Sequence, residues 1–563
     1  MRFNLIKIFL IISFILFQTE AYSKVSDKNK FNHKYLSNYF SALVSYDAQD
    51  NQEVLKYFNL SKSLELNNID YFKKYIFTLI NAGQISKAIK EINNWENKGN
   101  SNFFETNVLL LINNLINKDY EKVNQLLLKL NETQNQNAYD HIIYETLESY
   151  FELFQTNEIL DEDNNKFGRL SAITSAFQNC YVDSEKTNSL FLNLINSSEG
   201  DYSRYLFFYF SKKVEEKDFE TIKQISSTID PIDNSLIILQ SKNWVEKLNF
   251  KKFSQLFSCK NEKHLLSEFF FLIANLYAAE EDYILSNFYL NISNYLNPRF
   301  YFNLTLIIEN NYITKNYEIS KKILNKFNNQ DELYKWYKIK KISKIISQKE
   351  NDIKSLNFIE SEYGKIKNPS TKIVFDMANI YKSLKKYKKA IELYTLVMNQ
   401  IDKNSEIYAE ILYRRGGSYE RLKNYKDSDI DLLNSLELVP NDPYVTNYLA
   451  YSWLERNYKI KEALSMLREA YEQRKNDPYI IDSIGWAHYL IKDYEEAKKY
   501  LLKAIKLMPN DPIVNDHYGD ILWMLDKKIQ ARYFWKNALI QNETEEKLKE
   551  KIKEKLLKGM SEL

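Results

Sequence analysis

Cysteine is nearly absent from this chain of 563 residues, with only Cys180 and Cys259. No CxxC and no second ligand pair accompanies them, which excludes the common thiolate metal sites. In an oxidising compartment the two either pair or stay as isolated thiols, since sequence separation does not report distance in space. Glycine (10) and proline (8) are also scarce. All-β architectures use turn residues every 8–12 positions or so, and that supply is missing. An excess of one charge is lacking too: 77 Lys+Arg against 75 Asp+Glu leaves +2, so no whole-protein preference for nucleic acid or other polyanions follows. A mean hydropathy of −0.49 beside 15% aromatic residues excludes both a polytopic membrane protein and a disordered chain. What remains is a long α-helical protein, too long for one ordinary core.

One apolar run stands out, residues 8–17 (IFLIISFILF), after Arg2 and Lys7 and before the small residues Ala21 and Ser23. A basic start, a short apolar stretch and small residues at −3 and −1 describe a secretory signal over residues 1–23. The run is shorter than the ~20 residues a membrane span requires. An uncleaved N-terminal anchor is the competing reading. With the signal removed, no transmembrane span is expected. No cysteine follows the run, so a lipobox lipid anchor is not expected.

Between 371 and 545 the sequence repeats. Asp442-Pro443, Asp477-Pro478 and Asp511-Pro512 recur at a period close to 34 residues. Counting from each proline, Ala450, Gly485 and Gly519 stand eighth. Ala497 and Ala531 stand twentieth, and Ala504 and Ala538 twenty-seventh; Ala463 and Ala470 come one residue late. Small residues at these places let two helices approach, and large ones between them fill the remaining space. Asp before Pro is a helix N-cap followed by a residue whose missing N–H costs nothing at the first turn. This pattern resembles the tetratricopeptide repeat, a helix–turn–helix unit. The resemblance implies an all-α right-handed solenoid with five units: 371–404, 409–442, 443–477, 478–511 and 512–545. Weaker frames occur at 35–68, 69–102 and 104–137, giving a degenerate N-terminal section 24–137. Units 267–300 and 301–334 lie within a diverged helical section 138–370. Residues 138–266 and 335–370 show helical periodicity without a frame, as diverged repeats or irregular helical pairs. The Glu/Lys-rich end, 546–563, has the single polar face of a capping helix.

No G-x-S-x-G, H-E-x-x-H, P-loop or G-x-G-x-x-G occurs, and none of the five histidines sits in a catalytic pattern. His488 reads as a core residue. His517 follows Asp516, but adjacent helical residues point about 100° apart. No catalytic, metal-binding or cofactor-binding residue is assigned, and an enzyme is not expected. Recognition is. In the tetratricopeptide family the concave groove is lined by helix A, chiefly at positions two, five, nine, twelve and thirteen. The resemblance carries these to Tyr444, Asn447 and Tyr451, then to Tyr479, Asp482, Trp486 and Tyr489, then to Asp516, Asp520 and Trp523. Two uses fit these rings: a peptide groove, or packing between neighbouring repeats. As a groove, its acids would favour a neutral or basic peptide.

Residues 335–403 hold 16 Lys against seven acidic residues, whereas 441–545 hold 15 basic and 16 acidic. The lysines serve as solvated helix faces or as a contact for an anionic polymer, phospholipid or acidic protein. Finally, Tyr448–Trp453 (YLAYSW), Asp482–Ala487 (DSIGWA) and Asn515–Asp520 (NDHYGD), followed by Trp523 and 531–535 (ARYFW), form an ordered set. It is similar to exported proteobacterial tetratricopeptide proteins, some of them outer-membrane adaptor lipoproteins. That resemblance implies a periplasmic scaffold that holds a protease and presents cell-wall hydrolases to it. The alternative is an envelope assembly factor that contacts polysaccharide or lipid through 335–403.

Overall fold

The computed structural model describes residues 33–62, 64, 68–96, 103–134, 138–159, 166–197, 203–542 and 544–560. The expected export signal lies outside them. Thirty α-helices and no strand occur among the described residues. The fold is an α-solenoid of helix–turn–helix units. The described residues divide into two compact units, one within 1–227 and 235–345, the other within 228–234 and 346–563.

In the second unit five helix pairs follow one another. They are Thr371–Ser383 with Tyr387–Met398, Glu406–Arg421 with Tyr425–Leu438, Pro443–Glu455 with Ile460–Gln473, Pro478–Leu490 with Tyr494–Leu507, and Pro512–Met524 with Lys528–Ile540. Each Asp-Pro aspartate caps its helix: Asp442 Oδ1 accepts from the N–H groups of Tyr444 and Val445 at 2.8 and 3.0 Å. Asp477 and Asp511 repeat the bond. The small residues lie at helix crossings. A Cβ on Gly485 would stand 2.7 Å from Leu501 Cγ, and one on Gly519 would stand 2.5 Å from Trp535 Cδ1. Only glycine permits those approaches.

The turn between helices of a pair is made without glycine. Lys385, Lys423 and Lys492 have φ of 59, 61 and 65°, and the residue after each donates its N–H back to helix A, as Lys386 does to Tyr381 O at 2.8 Å. This is a Schellman-type C-cap. Lys118, Glu281 and Lys315 of the first unit hold the same backbone at φ of 60, 63 and 62°.

The first unit begins with three such pairs: His33–Asp47 with Asn51–Leu60, Ile69–Asn81 with Ile85–Glu96, and Phe104–Ile116 with Tyr120–Glu132. Farther on, Glu262–Ala279 pairs with Tyr283–Leu296. Serines take the crossing positions there. Ser293 donates to Ser267 O at 2.7 Å and Ser286 to Ala274 O at 2.8 Å. Asn303 and Asn310 of the next helix, Asn303–Ile313, donate to those two hydroxyls.

The described residues of 138–266, unframed in sequence, are helical and irregular. Their helices run from 19 residues (Ala138–Thr156) down to six (Lys251–Leu256). Tyr205–Glu215 packs against Leu236–Glu246 and Lys251–Leu256, and Tyr205 through Lys213 are all buried. A helix covered on every side carries no amphipathic stripe, which explains why no frame was legible. Cys180 and Cys259 form a disulfide, which decides between the two states left open by sequence. Asp183 and Lys260 pair beside it at 2.7 Å. Arg204 is held by Glu268 at 2.8 and 2.6 Å and lies 3.9 Å from the Phe271 ring centroid.

Candidate functional site

Helix A of each repeat in the second unit meets helix A of the next. Tyr413 and Tyr448 stack edge to face at 5.6 Å, and Trp486 lies flat on His517 at 4.1 Å. The sequence-assigned residues fall along this layer in three groups. Tyr444 and Tyr479, at position two, are exposed (48% and 59%). Asn447, Tyr451, Trp486 and Trp523 are half-buried. Asp482, Tyr489, Asp516 and Asp520 are buried.

The acids are engaged from within. Asp482 contacts His517 Nδ1 at 3.0 Å, so the histidine partners the preceding repeat and not its neighbour Asp516. Lys555, on the C-terminal helix Glu546–Lys558, donates to Asp516 at 2.8 Å and to Asp520 at 2.7 Å. Trp535 Nε1 donates to the same Asp520 at 2.8 Å. Burial and the adjacent Asp516 push Asp520 up to about 6 against the pull of Lys555. Burial alone would lower His517, but the charges of Asp482, Asp516 and Asp520 raise it. The expectation that these acids lie open and favour a neutral or basic peptide is therefore corrected. Their charge is met by His517 and Lys555, because helix-A positions five and nine of one repeat face the next helix.

The C-terminal helix covers the last repeat. Ile552 is fully buried, Trp523 Nε1 donates to Met560 O at 3.1 Å, and Arg532 donates to Leu556 O. Trp523 is thus a cap contact. Five buried polar atoms on these A helices have no hydrogen-bond partner: Ser452 Oγ and Asn515 Oδ1, and, at the expected groove positions, Asn447 Oδ1, Trp486 Nε1 and Tyr489 Oη. The last three occupy positions five, nine and twelve. Tyr489 and Trp486 stack at 4.6 Å.

At the other end of the layer the charge is positive. Lys382 (position twelve of the first repeat) faces the Tyr413 ring at 5.6 Å, and burial with Arg414 and Arg421 pushes its amine down to about 8. Arg414 pairs with Glu410 and reaches Asn379 Oδ1 at 3.3 Å. Lys382, Arg421, His517 and Lys555 were missed as site residues. Carrying positions twelve and thirteen back one and two repeats would have found the first two. Many other lysines of the basic section are paired locally, such as Lys354 with Glu350, Lys365 with Glu362 and Lys389 with Glu360. Among the described residues no group of three or more His, Cys, Asp or Glu is placed to hold a metal ion. No described helix is long and apolar enough to cross a membrane.

Residues 478–511 and 371–399 each match a tetratricopeptide repeat model. The chain carries tetratricopeptide repeats. Among curated proteins it is similar to the TPR repeat-containing protein PA4667 of Pseudomonas aeruginosa, 28% identical over 110 residues, 20% of this chain and 18% of that one. Anaphase-promoting complex subunit 3 of Schizosaccharomyces pombe is 22% identical over 120 residues, 21% of this chain and 17% of that one. The matched stretch thus spans less than a fifth of either relative. Among solved structures, a tetratricopeptide repeat protein from Parabacteroides merdae aligns with 45% of this chain and 97% of its own at 18% identity and a TM-score of 0.37. TTC0263 of Thermus thermophilus aligns with 33% of this chain and 100% of its own at 16% identity and a TM-score of 0.30.

Proposed function

We propose that this protein is an exported scaffold that binds a protein or peptide segment along the helix-A layer of residues 371–545. One observation carries the reading. Asn447, Trp486 and Tyr489 bury an acceptor, a donor and a hydroxyl without partners on the face that this repeat class uses for recognition. Orphaned buried polar atoms cost about 1–3 kcal/mol each, and an extended backbone offers both N–H and C=O to meet them. Exposed Tyr444 and Tyr479 supply apolar rings beside them, the residue type that dominates binding energy at interfaces.

Export is supported by the apolar run 8–17 and by the disulfide, which belongs to oxidising compartments. We place the protein in the periplasm, as an adaptor that presents cell-wall hydrolases to a protease. Affinity capture from crosslinked cells tests this. Recovery of a protease or hydrolase by the wild type, lost with Tyr479→Ala and Trp486→Ala, is the expected result. Capture of polysaccharide or lipid alone, or equal protein capture by the variants, would sink it. Asp482→Lys serves poorly as a test, because it also removes the partner of His517.

A further inference from the structure

Helix Lys528–Ile540, the second helix of the last repeat, holds three cations (Lys528, Arg532 and Lys536) and no acid. One side of it is repeat interior, where Ala531, Trp535 and Ala538 are fully buried. On the other side stand Ile529, Tyr533 and Ile540, exposed at 88, 60 and 72%. At 100° per residue these three and Lys536 fall within about 60° of one another, so they form one bare row along the whole helix. Packing within the repeat accounts for the first apolar face and leaves the second without an occupant.

The neighbouring repeats are the control, because equivalent positions of a solenoid meet similar surroundings. The three positions lie two residues before the small residue of the second helix, and two and nine after it. In the fourth repeat they hold Glu495, Lys499 and Lys506. The third has Lys461, Ser465 and Glu472, and the first has Lys388, Glu392 and Asn399. The second keeps Lys426 and Glu437 around a single Ile430. Of the five, the last repeat alone puts an apolar side chain at all three.

Charge selects the occupant. Lys527, just before the helix, stands beside Lys498 of the fourth repeat, whose ammonium pushes it down. The acids at hand are Asp526, 3.0 Å from Lys528, and Glu495, 4.0 Å from Lys498. Two copies laid row to row would set six cations together with no acid on either helix, which disfavours self-pairing. The row measures roughly 20 Å by 10 Å, a fraction of the ~800 Å² per partner that a stable protein interface buries. A bilayer surface demands neither that area nor a shape match. A few apolar side chains at the headgroup boundary, with lysines on the phosphates, hold a helix there. Tyrosine is enriched at that boundary.

We propose that the outer face of helix Lys528–Ile540 docks this protein on an anionic phospholipid surface. Ile529, Tyr533 and Ile540 enter the headgroup boundary, and Lys528 and Lys536 lie on the phosphates. The helix rests on the membrane and does not cross it. This surface is separate from the helix-A layer and from the lysine-rich section 335–403.

The test uses the full chain with Tyr533→Cys carrying an environment-sensitive fluorophore, and Ser465→Cys, the equivalent position two repeats earlier, as its control. Vesicles of phosphatidylcholine with 30% phosphatidylglycerol should shift the emission at 533 to the blue and leave 465 unchanged. Pure phosphatidylcholine should require at least tenfold more lipid for the same shift. In the labelled background, Ile529→Ser with Ile540→Ser should weaken binding about tenfold. Lys528→Gln with Lys536→Gln should do the same, and raised salt should mimic that pair. All these side chains are exposed, and circular dichroism establishes that the variants fold. The apolar run 8–17 is common to every variant, so insertion through it would leave 533 unshifted and would overturn the proposal. Equal shifts at 533 and 465, equal binding of the two vesicle types, or unchanged binding by the serine pair would also overturn it. So would a full shift with soluble polyglutamate, which would show a charge contact without insertion.

Discussion

Ser293 in the first unit and Ser435 in the second each bond a carbonyl 26 residues earlier, at 2.7 and 2.8 Å. The two units thus share one way of crossing helices, yet they are secured differently. The second relies on repetition: the same Asp-Pro cap, the same small residue and the same turn return in successive pairs, so each interface is local. The first relies on single devices. A disulfide, a buried Arg204–Glu268 pair and a helix covered on all sides replace the missing regularity. A solenoid that loses its repeat needs long-range ties in its place.

The sharpest way to break this contrast is to remove one such tie. Replacing both cysteines by serine should cost about 4.5 kcal/mol, the loop-closure value for a link of 79 residues. Hydrogen exchange should place the loss in residues 103–345 and leave 371–540 protected. Comparable deprotection in the second unit would show that the two do not hold separately. Lys555→Met should cost the second unit about 3 kcal/mol, because it strands Asp516 and Asp520 together in a buried site. Chemical denaturation followed by tryptophan fluorescence reads this. Gly519→Ala should cost about 2 kcal/mol through the clash with Trp535 and should stay within the last two repeats. A neutral result would mean that the crossing has slack.

A smaller effect separates the units by sign. In the first, burial pushes His264 down to about 4, and Ser258 donates its N–H to Nδ1 at 3.1 Å. A neutral buried histidine contributes stability above its unfolded value near 6.5 and loses it as pH falls toward 4. In the second, His517 and Asp520 are both raised. Their contribution is present at lower pH and is lost as pH rises through the folded values. Between pH 7 and 5 the first unit should therefore weaken and the second strengthen, each by about 1–2 kcal/mol. Exchange protection measured at both pH values checks it. Movement in the same direction would contradict the assignment.

Much of the second unit was readable before any coordinates. Asp-Pro caps and small residues at fixed intervals are local signals, and the helices begin and cross where those residues stand. The turns were less legible, since lysine at positive φ leaves no compositional mark of the kind glycine would. In 138–266 helicity was legible but no repeat frame was, because helix Tyr205–Glu215 lacks a polar side. Candidate site residues lie on the first helix of each pair, but position alone did not reveal what each one faces. Asp482, Asp516 and Asp520 looked available until His517 and Lys555 were found against them. Those contacts join residues 35 to 39 apart, across repeats, where a single-repeat frame carries no information.

The disulfide also has a mechanical meaning. A chain pulled from its two ends transmits force along the shortest covalent route, and here that route jumps from Cys180 to Cys259. The 79-residue stretch it bypasses, roughly 270 Å of extended chain, cannot be drawn out while the bond is intact. Under tension the molecule would pay out in short steps as its helix pairs open, and stop short of full length. A reducing agent alone would release the withheld segment.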